Sequence, residues 1–413
     1  MPSTPFASSP SPSRAEGWWV LAATTWVQVL CSGAMLLVPT LAPQIAAAFG
    51  VATKLVGLQV SLLYGVAMLA SLQSAVVARR LGGCRASQWA MALVLAGCAL
   101  ALFGTPVALL ATTLMLGLAY GLTSPAAAEL LTRFTPAERR NLVFSIKQTG
   151  VPLGGVLAGL LAPPLAAYWS WHAAFLAIGV TCLGMLLLLQ CRRALWDEAR
   201  QPTARMRGSG SLAVLRNQLP MRWLGAAGFC LSAAQLSLLS FAVAFMVEER
   251  LLTLVTAGVI VSVVHVAGVT GRIGWGVVAD RLGRSLPVLL GLAFIIMVVF
   301  LVLALLGVFL PTWVVVVLLV LAGATAVGWN GVYLAEVARR CQPGEVGEAT
   351  AAVLVLTYMG VLVGPALFSL IVWVTGSYAI GFLLPAATGG LAILCLQQYR
   401  RAGHVAEATA ILR

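Results

Sequence analysis

Arg272, Lys147 and His265 are ionisable side chains set inside long apolar runs of this 413-residue chain. Burying an ionisable group there is costly, which makes each a candidate for function. Arg272 lies eight residues before Asp280, which puts it about 12 Å along a helix from the charged turn that ends the run. That is too deep for easy snorkelling, so the guanidinium needs an anion, a carbonyl or water. Its fork suits a carboxylate; the plainer alternative is an arginine bonded to helix ends of a gate. Lys147, one of two lysines in the chain, follows Asn141 by six residues and stands next to Gln148, about 9 Å along its helix. It either faces Arg272 to form a cationic pincer or pairs with Glu129. His265 precedes Arg272 by seven residues, two helical turns on the same face. There it would titrate or donate to a substrate, or else pack through a hydrogen bond. Gln28, Tyr64, Gln235, Trp329, Asn330 and Tyr358 stand near the centres of other apolar runs, where a lone polar group seeks an interhelical partner or water. Together with two cations they describe a small site with apolar walls and polar anchors.

The elements that must hold these groups follow from composition. With 61% apolar and 9% charged residues, the chain departs from soluble proteins, which are about half apolar and a quarter charged. It belongs in a bilayer. Apolar runs bounded by charge, Pro or Gly begin near Trp18, Leu55, Ala86, Pro106, Leu142, Trp171, Met221, Leu254, Ser285, Pro311, Ala349 and Tyr378, and runs of about 20 residues match the hydrocarbon thickness. Without period-two alternation they must be helices, because backbone groups in hydrocarbon need internal partners. The expected fold is an all-α integral membrane protein of twelve transmembrane helices.

The net charge of +13 sits in short clusters between these runs and reads as a topology signal, not as a nucleic-acid footprint. With the N-terminus inside, the inner segments hold 21 arginines and the outer ones only Lys54 and Arg250. Both termini are therefore expected in the cytoplasm, with the chain in the inner membrane. Residues 1–17 form an expected disordered tail without a signal-peptide n-region. Residues 18–190 and 221–399 form two six-helix bundles, 191–220 an Arg-rich connector with Pro202 and a Gly-Ser-Gly at 208–210, and 400–413 a second tail. The eight cysteines contain no CxxC pair and imply neither disulfides nor a metal site. There is no GxxxxGK[ST] nucleotide motif and no triad or carboxylate pair in a plausible pocket, so no cofactor and no enzyme activity is expected.

Internal repeats relate the halves. Ala75-Val-Val-Ala-Arg79-Arg80-Leu-Gly82-Gly83 matches Gly276-Val-Val-Ala-Asp280-Arg281-Leu-Gly283-Arg284 at six of nine positions, 201 residues apart. Glu129, Arg133, Pro136 and Glu138 recur as Glu336, Arg340, Pro343 and Glu345, 207 residues apart. Such repeats build two bundles that rock about a midplane site. Gly150, Gly154, Gly155 and Gly159 with Pro152, and Gly360 with Gly364-Pro365, allow close helix approach and bending.

The turn Gly276-Val-Val-Ala-Asp280-Arg281-Leu-Gly283-Arg284 resembles the signature of the major facilitator superfamily of transporters between the second and third helices and, weaker, between the eighth and ninth. Here the second copy is the stronger; the first carries Arg79 and Gly83 in place of the acidic residue and the closing arginine. The resemblance implies two pseudo-symmetric six-helix bundles and transport by alternating access, with Asp280, Arg281, Arg284, Glu129, Arg133, Glu336 and Arg340 latching the inner side. The spacing of Arg272, Gly276 and Asp280-Arg281 is similar to that of the monocarboxylate and oxalate transporters, which implies that Arg272 binds a substrate carboxylate. Those monocarboxylate carriers often have an acidic residue one turn earlier, where Gly268 stands here. Gly150-Val-Pro152-Leu-Gly154-Gly155 resembles the fifth-helix motif of proton-coupled antiporters, with the proline displaced by one residue and no mid-span arginine in the fourth helix. The expectation is a monomeric carrier of a small organic anion, a carboxylate, with a proton as candidate coupling ion. Lys147 would be the second cation, and His265, Asn330 and Tyr358 the orienting groups. A proton-driven exporter of lipophilic compounds is the alternative.

Overall fold

A computed structural model describes residues 14–136, 140–198, 200–203, 216, 218–340 and 346–411. Residues 1–13 of the expected tail, most of the connector, and Glu138, Pro343 and Glu345 lie outside the described residues, while the last four residues of that tail, from Arg14, open a helix that runs to Thr40. Those described form helices and turns with no strand. Twelve helices are long and apolar enough to cross a membrane: α1 (Ala15–Thr40), α2 (Thr53–Ser71), α3 (Gly83–Ala101), α4 (Pro106–Phe134), α5 (Ile146–Tyr168), α6 (Trp171–Trp196), α7 (Leu219–Glu249), α8 (Leu254–Leu282), α9 (Ser285–Leu306), α10 (Thr312–Val337), α11 (Val353–Thr375) and α12 (Tyr378–Gly403). The chain is a multi-pass membrane protein.

α1 packs on α5 and α4, and α3 on α4 and α6, to make the first bundle; α7 packs on α11 and α12, and α12 on α9, to make the second. Two seams join the bundles, α5 against α8 and α2 against α11, and the internal repeat exchanges one for the other. The duplicated turn has a structural reason. The helix of α2 runs on to Leu81, and Gly82 and Gly283 close it and α8 with φ of +96° and +63°, conformations that cost an L side chain energy but not glycine. After Gly82, Asp197 accepts hydrogen bonds from the amides of Cys84 at 2.8 Å and Arg85 at 2.9 Å, so a carboxylate from the end of α6 caps α3.

The glycines of α5 serve two different neighbours. A Cβ on Gly154 would come within 2.6 Å of the Gly33 amide nitrogen and the Val29 oxygen of α1. One on Gly159 would come within 2.7 Å of the Gly258 oxygen of α8. Adjacent faces of one helix thus hold α5 in its own bundle and seat the other bundle against it. Three hydrogen bonds between the bundles lie at the level of Arg272 or toward the Lys54 end: Arg272 to Gln148, Ser262 Oγ to the Val156 oxygen, and Ser369 Oγ to the Lys54 oxygen. Lys54 Nζ also sits 4.4 Å from the centroid of the Trp373 ring, a cation–π contact that crosses the second seam. The molecule is closed at that end.

Candidate substrate site between the bundles

Pro152 prepares the position of Arg272. It has no N–H to give to Gln148 four residues earlier, so the Gln148 carbonyl lacks its helical partner. Arg272 Nη1 donates to that oxygen across the seam at 3.1 Å. Arg272 Nε donates to the Val327 oxygen at 3.0 Å, at the end of a π-helical turn, Gly323–Val327, within α10. A π turn disturbs the regular helical ladder and makes carbonyls available; Ala324 O likewise accepts from Trp275 Nε1 at 2.9 Å. Two backbone acceptors therefore hold the guanidinium, while Nη2 makes no hydrogen bond among the described residues and the side chain stays half-buried.

Lys147 is buried and turned toward its own bundle. Its Nζ donates to Gln28 Oε1 of α1 at 2.8 Å and to Ser124 Oγ of α4 at 3.4 Å, and Gln28 in turn donates to Ser32 at 3.1 Å. It forms no ion pair with Glu129; among the described residues neither Lys147 nor Arg272 has one. The two cations are joined indirectly, because Arg272 bonds the carbonyl of the residue that follows Lys147.

His265 is not brought to these cations. It is 2% exposed, its Nδ1 lies 2.9 Å from the Val261 oxygen, and its ring covers Gly155 in the α5–α8 seam. Helical spacing put it on the face of Arg272 correctly, but that face runs from the site into the seam. Gln235 and Trp329 are buried too. Trp329 Nε1 and Asn330 Nδ2 donate to Gln235 Oε1 at 3.0 and 3.2 Å, which ties α7 to α10. Asn330, Tyr64 and Tyr358 remain half-buried.

Tyr120 and Ser124 belong to the site although sequence reasoning passed over them. Both lie on one face of α4, four residues apart, and the Tyr120 ring meets Tyr64 edge-on at 5.8 Å between centroids and 77°. Arg272 and Tyr358 lie within electrostatic reach of Tyr120. A mid-span tyrosine at the depth of Tyr64 was the available signal.

The residues expected to latch the arginine-rich end are dispersed. Arg133 pairs at 2.9 Å with Glu198 and not with Glu129. Glu336 is buried and accepts from Tyr399 Oη of α12 at 2.8 Å. Asp280, Arg281 and Arg284 are exposed. No ion pair between described residues crosses the bundles.

The chain is similar to the gallate transporter of Pseudomonas putida, 30% identical over 31% of this chain and 28% of that one. It is also similar to the probable anion transporter 6, chloroplastic, of Arabidopsis thaliana, 28% identical over 20% of this chain and 16% of the other. The matches thus span less than a third of either relative. Among solved structures it resembles a bacterial homologue of the human lysosomal transporter Spinster in an inward-facing, occupied conformation, with a TM-score of 0.74 at 15% identity over 96% and 98% of the two chains. It also resembles the E. coli fucose:proton symporter, with a TM-score of 0.61 at 18% identity over 92% and 98%. These likenesses agree with twelve spans in two repeated bundles, and a sequence model of the Major Facilitator Superfamily matches residues 25–335, most of the chain, which therefore belongs to that superfamily of transporters.

Proposed function

We propose that the chain is a secondary transporter that carries a small organic anion, a carboxylate, across the cytoplasmic membrane by alternating access. The observation that carries this reading is Arg272: a guanidinium deep in the span, fixed by two carbonyls, with Nη2 unbonded and no carboxylate among the described residues to neutralise it. An unpaired cation at this depth is expensive, and an anionic substrate is the natural partner. Lys147 adds a second positive charge on the same level of α5. The names of the gallate and anion transporters that resemble it support the substrate class.

On this reading Arg272 is the anchor, and Tyr358, Tyr64 and Asn330 orient the substrate. Gln28 and Gln148 position the cations, Gln235 and Trp329 brace α7 against α10, and His265 serves the seam. Bundles 18–190 and 221–399 rock about the site on the connector 191–220. In the opposite state Asp280, Arg281, Arg284, Glu129, Arg133, Glu336 and Arg340 close the arginine-rich side. The arginine asymmetry supports cytoplasmic termini in the inner membrane; a proton is the candidate coupling ion and a monomer the working unit. A proton-driven exporter would require a carboxylate deep in the span, and Glu129 and Glu336 stand near its ends.

The test is thermal unfolding of the detergent-purified protein with acetate, oxalate, benzoate and a lipophilic cation. A ligand of the folded state raises stability by about RT ln(1 + [L]/Kd). An acid should raise the melting temperature of the wild type and not of folded Arg272→Ala. A response to the lipophilic cation alone would refute the anion assignment.

A further inference from the structure

Three tyrosines gather around Tyr120, the one within electrostatic reach of Arg272, and come from three helices: Tyr64 from α2, Tyr120 from α4 and Tyr358 from α11. Tyr64 and Tyr120 pack edge to face, and Tyr358 lies within electrostatic reach of both. Each ring lies deep within its span yet keeps part of its surface accessible. None of the three hydroxyls has a hydrogen-bond partner among the described residues, and none is sealed from solvent-sized space.

That combination is not what a packing cluster gives. A tyrosine that only fills a core either reaches a partner with its hydroxyl, as Tyr333 does with the Leu224 oxygen at 3.2 Å and Tyr399 with Glu336, or is replaced at little cost by an apolar ring. Here three unpaired hydroxyls and two perpendicular rings stay partly accessible, with a guanidinium within electrostatic reach of one of them. Ser124, one turn beyond Tyr120, extends the polar line to Lys147. Tyr120 therefore lies one helical turn from the Ser124 that Lys147 bonds and within electrostatic reach of Arg272.

We propose that the ligand of this site is an aromatic carboxylate, its acid group on Arg272 and its ring against Tyr120, Tyr64 and Tyr358, with the tyrosine hydroxyls receiving polar substituents of that ring. This rests on the anion reading above and narrows it. Aromatic pairs prefer the offset or edge-to-face geometry that two perpendicular tyrosines offer, at about 2- to 10-fold in affinity per contact beyond area alone. A saturated ring of equal size and charge gains none of this. A site that hydrogen-bonds a hydroxyl also discriminates against the analogue without it.

The experiment compares benzoate, 4-hydroxybenzoate, cyclohexanecarboxylate and hexanoate by ligand-induced thermal shift on the full-length protein in detergent, with apparent Kd values taken from the dose response. Benzoate should bind at least about 2- to 10-fold tighter than cyclohexanecarboxylate, and 4-hydroxybenzoate tighter still. Tyr120→Leu should collapse the benzoate preference, whereas Tyr120→Phe should keep it and remove only the gain from the ring hydroxyl. Tyr358→Leu, on the other bundle, repeats the test should Tyr120→Leu not fold. Equal affinity for benzoate and cyclohexanecarboxylate, or an unchanged ratio in the folded leucine variants, overturns the aromatic assignment and leaves the anion reading intact. Failure of all four acids to shift the wild type overturns the aromatic assignment, and failure of acetate and oxalate as well overturns the anion reading.

Discussion

Gly159→Ala should prise open the seam between the bundles without weakening either bundle. The new Cβ would stand 2.7 Å from the Gly258 carbonyl oxygen, whereas ordinary van der Waals contact begins near 3.4 Å. The difference, 3.4 less 2.7, asks α5 and α8 to part by about 0.7 Å. Ser262 Oγ, nearer still at 2.3 Å, can rotate away by giving up its bond to the Val156 oxygen, but the Gly258 oxygen is backbone and no rotamer change relieves that contact. Overpacking of this kind costs about 1–3 kcal/mol. On the alternating-access proposal the clash is confined to the state closed at the Lys54 end, so the whole cost would enter the equilibrium between states, a shift of about 5- to 150-fold. Gly154→Ala is the control: its Cβ would meet Gly33 and Val29 of α1 at 2.6 Å, inside one bundle, and should lower the melting temperature instead. The readout is the rate at which a water-soluble thiol reagent labels the Ser369→Cys variant, substituted at a position buried in the second seam beside Lys54, in a background without the native cysteines. Gly159→Ala should speed labelling by about that factor, with a melting temperature near that of the parent. Parental labelling rates in a folded Gly159→Ala protein would refute the idea that α5 and α8 part when the molecule changes state.

Three other consequences can be measured on the same purified protein. Tyr399→Phe leaves the buried Glu336 carboxylate without its 2.8 Å donor and should cost about 1–3 kcal/mol, seen as a lower melting temperature. Pro152→Ala gives the Gln148 carbonyl an amide partner and should raise thermal stability, since an interior proline costs a helix about 3 kcal/mol; it should weaken acid binding by about an order of magnitude by loosening Arg272. Burial raises the Asp197 carboxyl above the ordinary carboxylate range, while the Cys84 and Arg85 amides and then the Arg193 and Arg85 charges pull it the other way. A raised folded pKa means stability contributed below the unfolded value and lost as pH rises through the folded one. The wild type should therefore gain stability as pH falls from neutrality toward the ordinary carboxylate range, and Asp197→Asn should flatten that slope in melting curves taken across it.

The chain alone determined the number of spans, their helical state and the likeness of the two halves. Hydrocarbon admits only segments that satisfy their own backbone, and a repeated turn such as Leu-Gly at 81–82 and 282–283 records its conformational demand locally, in a glycine at positive φ. It also marked Arg272 and Lys147, because a charge among apolar residues is conspicuous without coordinates. Partners were decided only by tertiary structure. Arg133 has Glu129 one turn away and takes Glu198, since the end of α6 brings that carboxylate nearer than helical geometry brings the other. His265 shares a face with Arg272 and still leaves the site, because the opposing helix offers glycine at its level. Tyr120 carries no charge and follows no motif; it entered the site when α2, α4, α8 and α11 converged on one depth, and a convergence of helices distant in sequence leaves no trace in the spacing of any one of them.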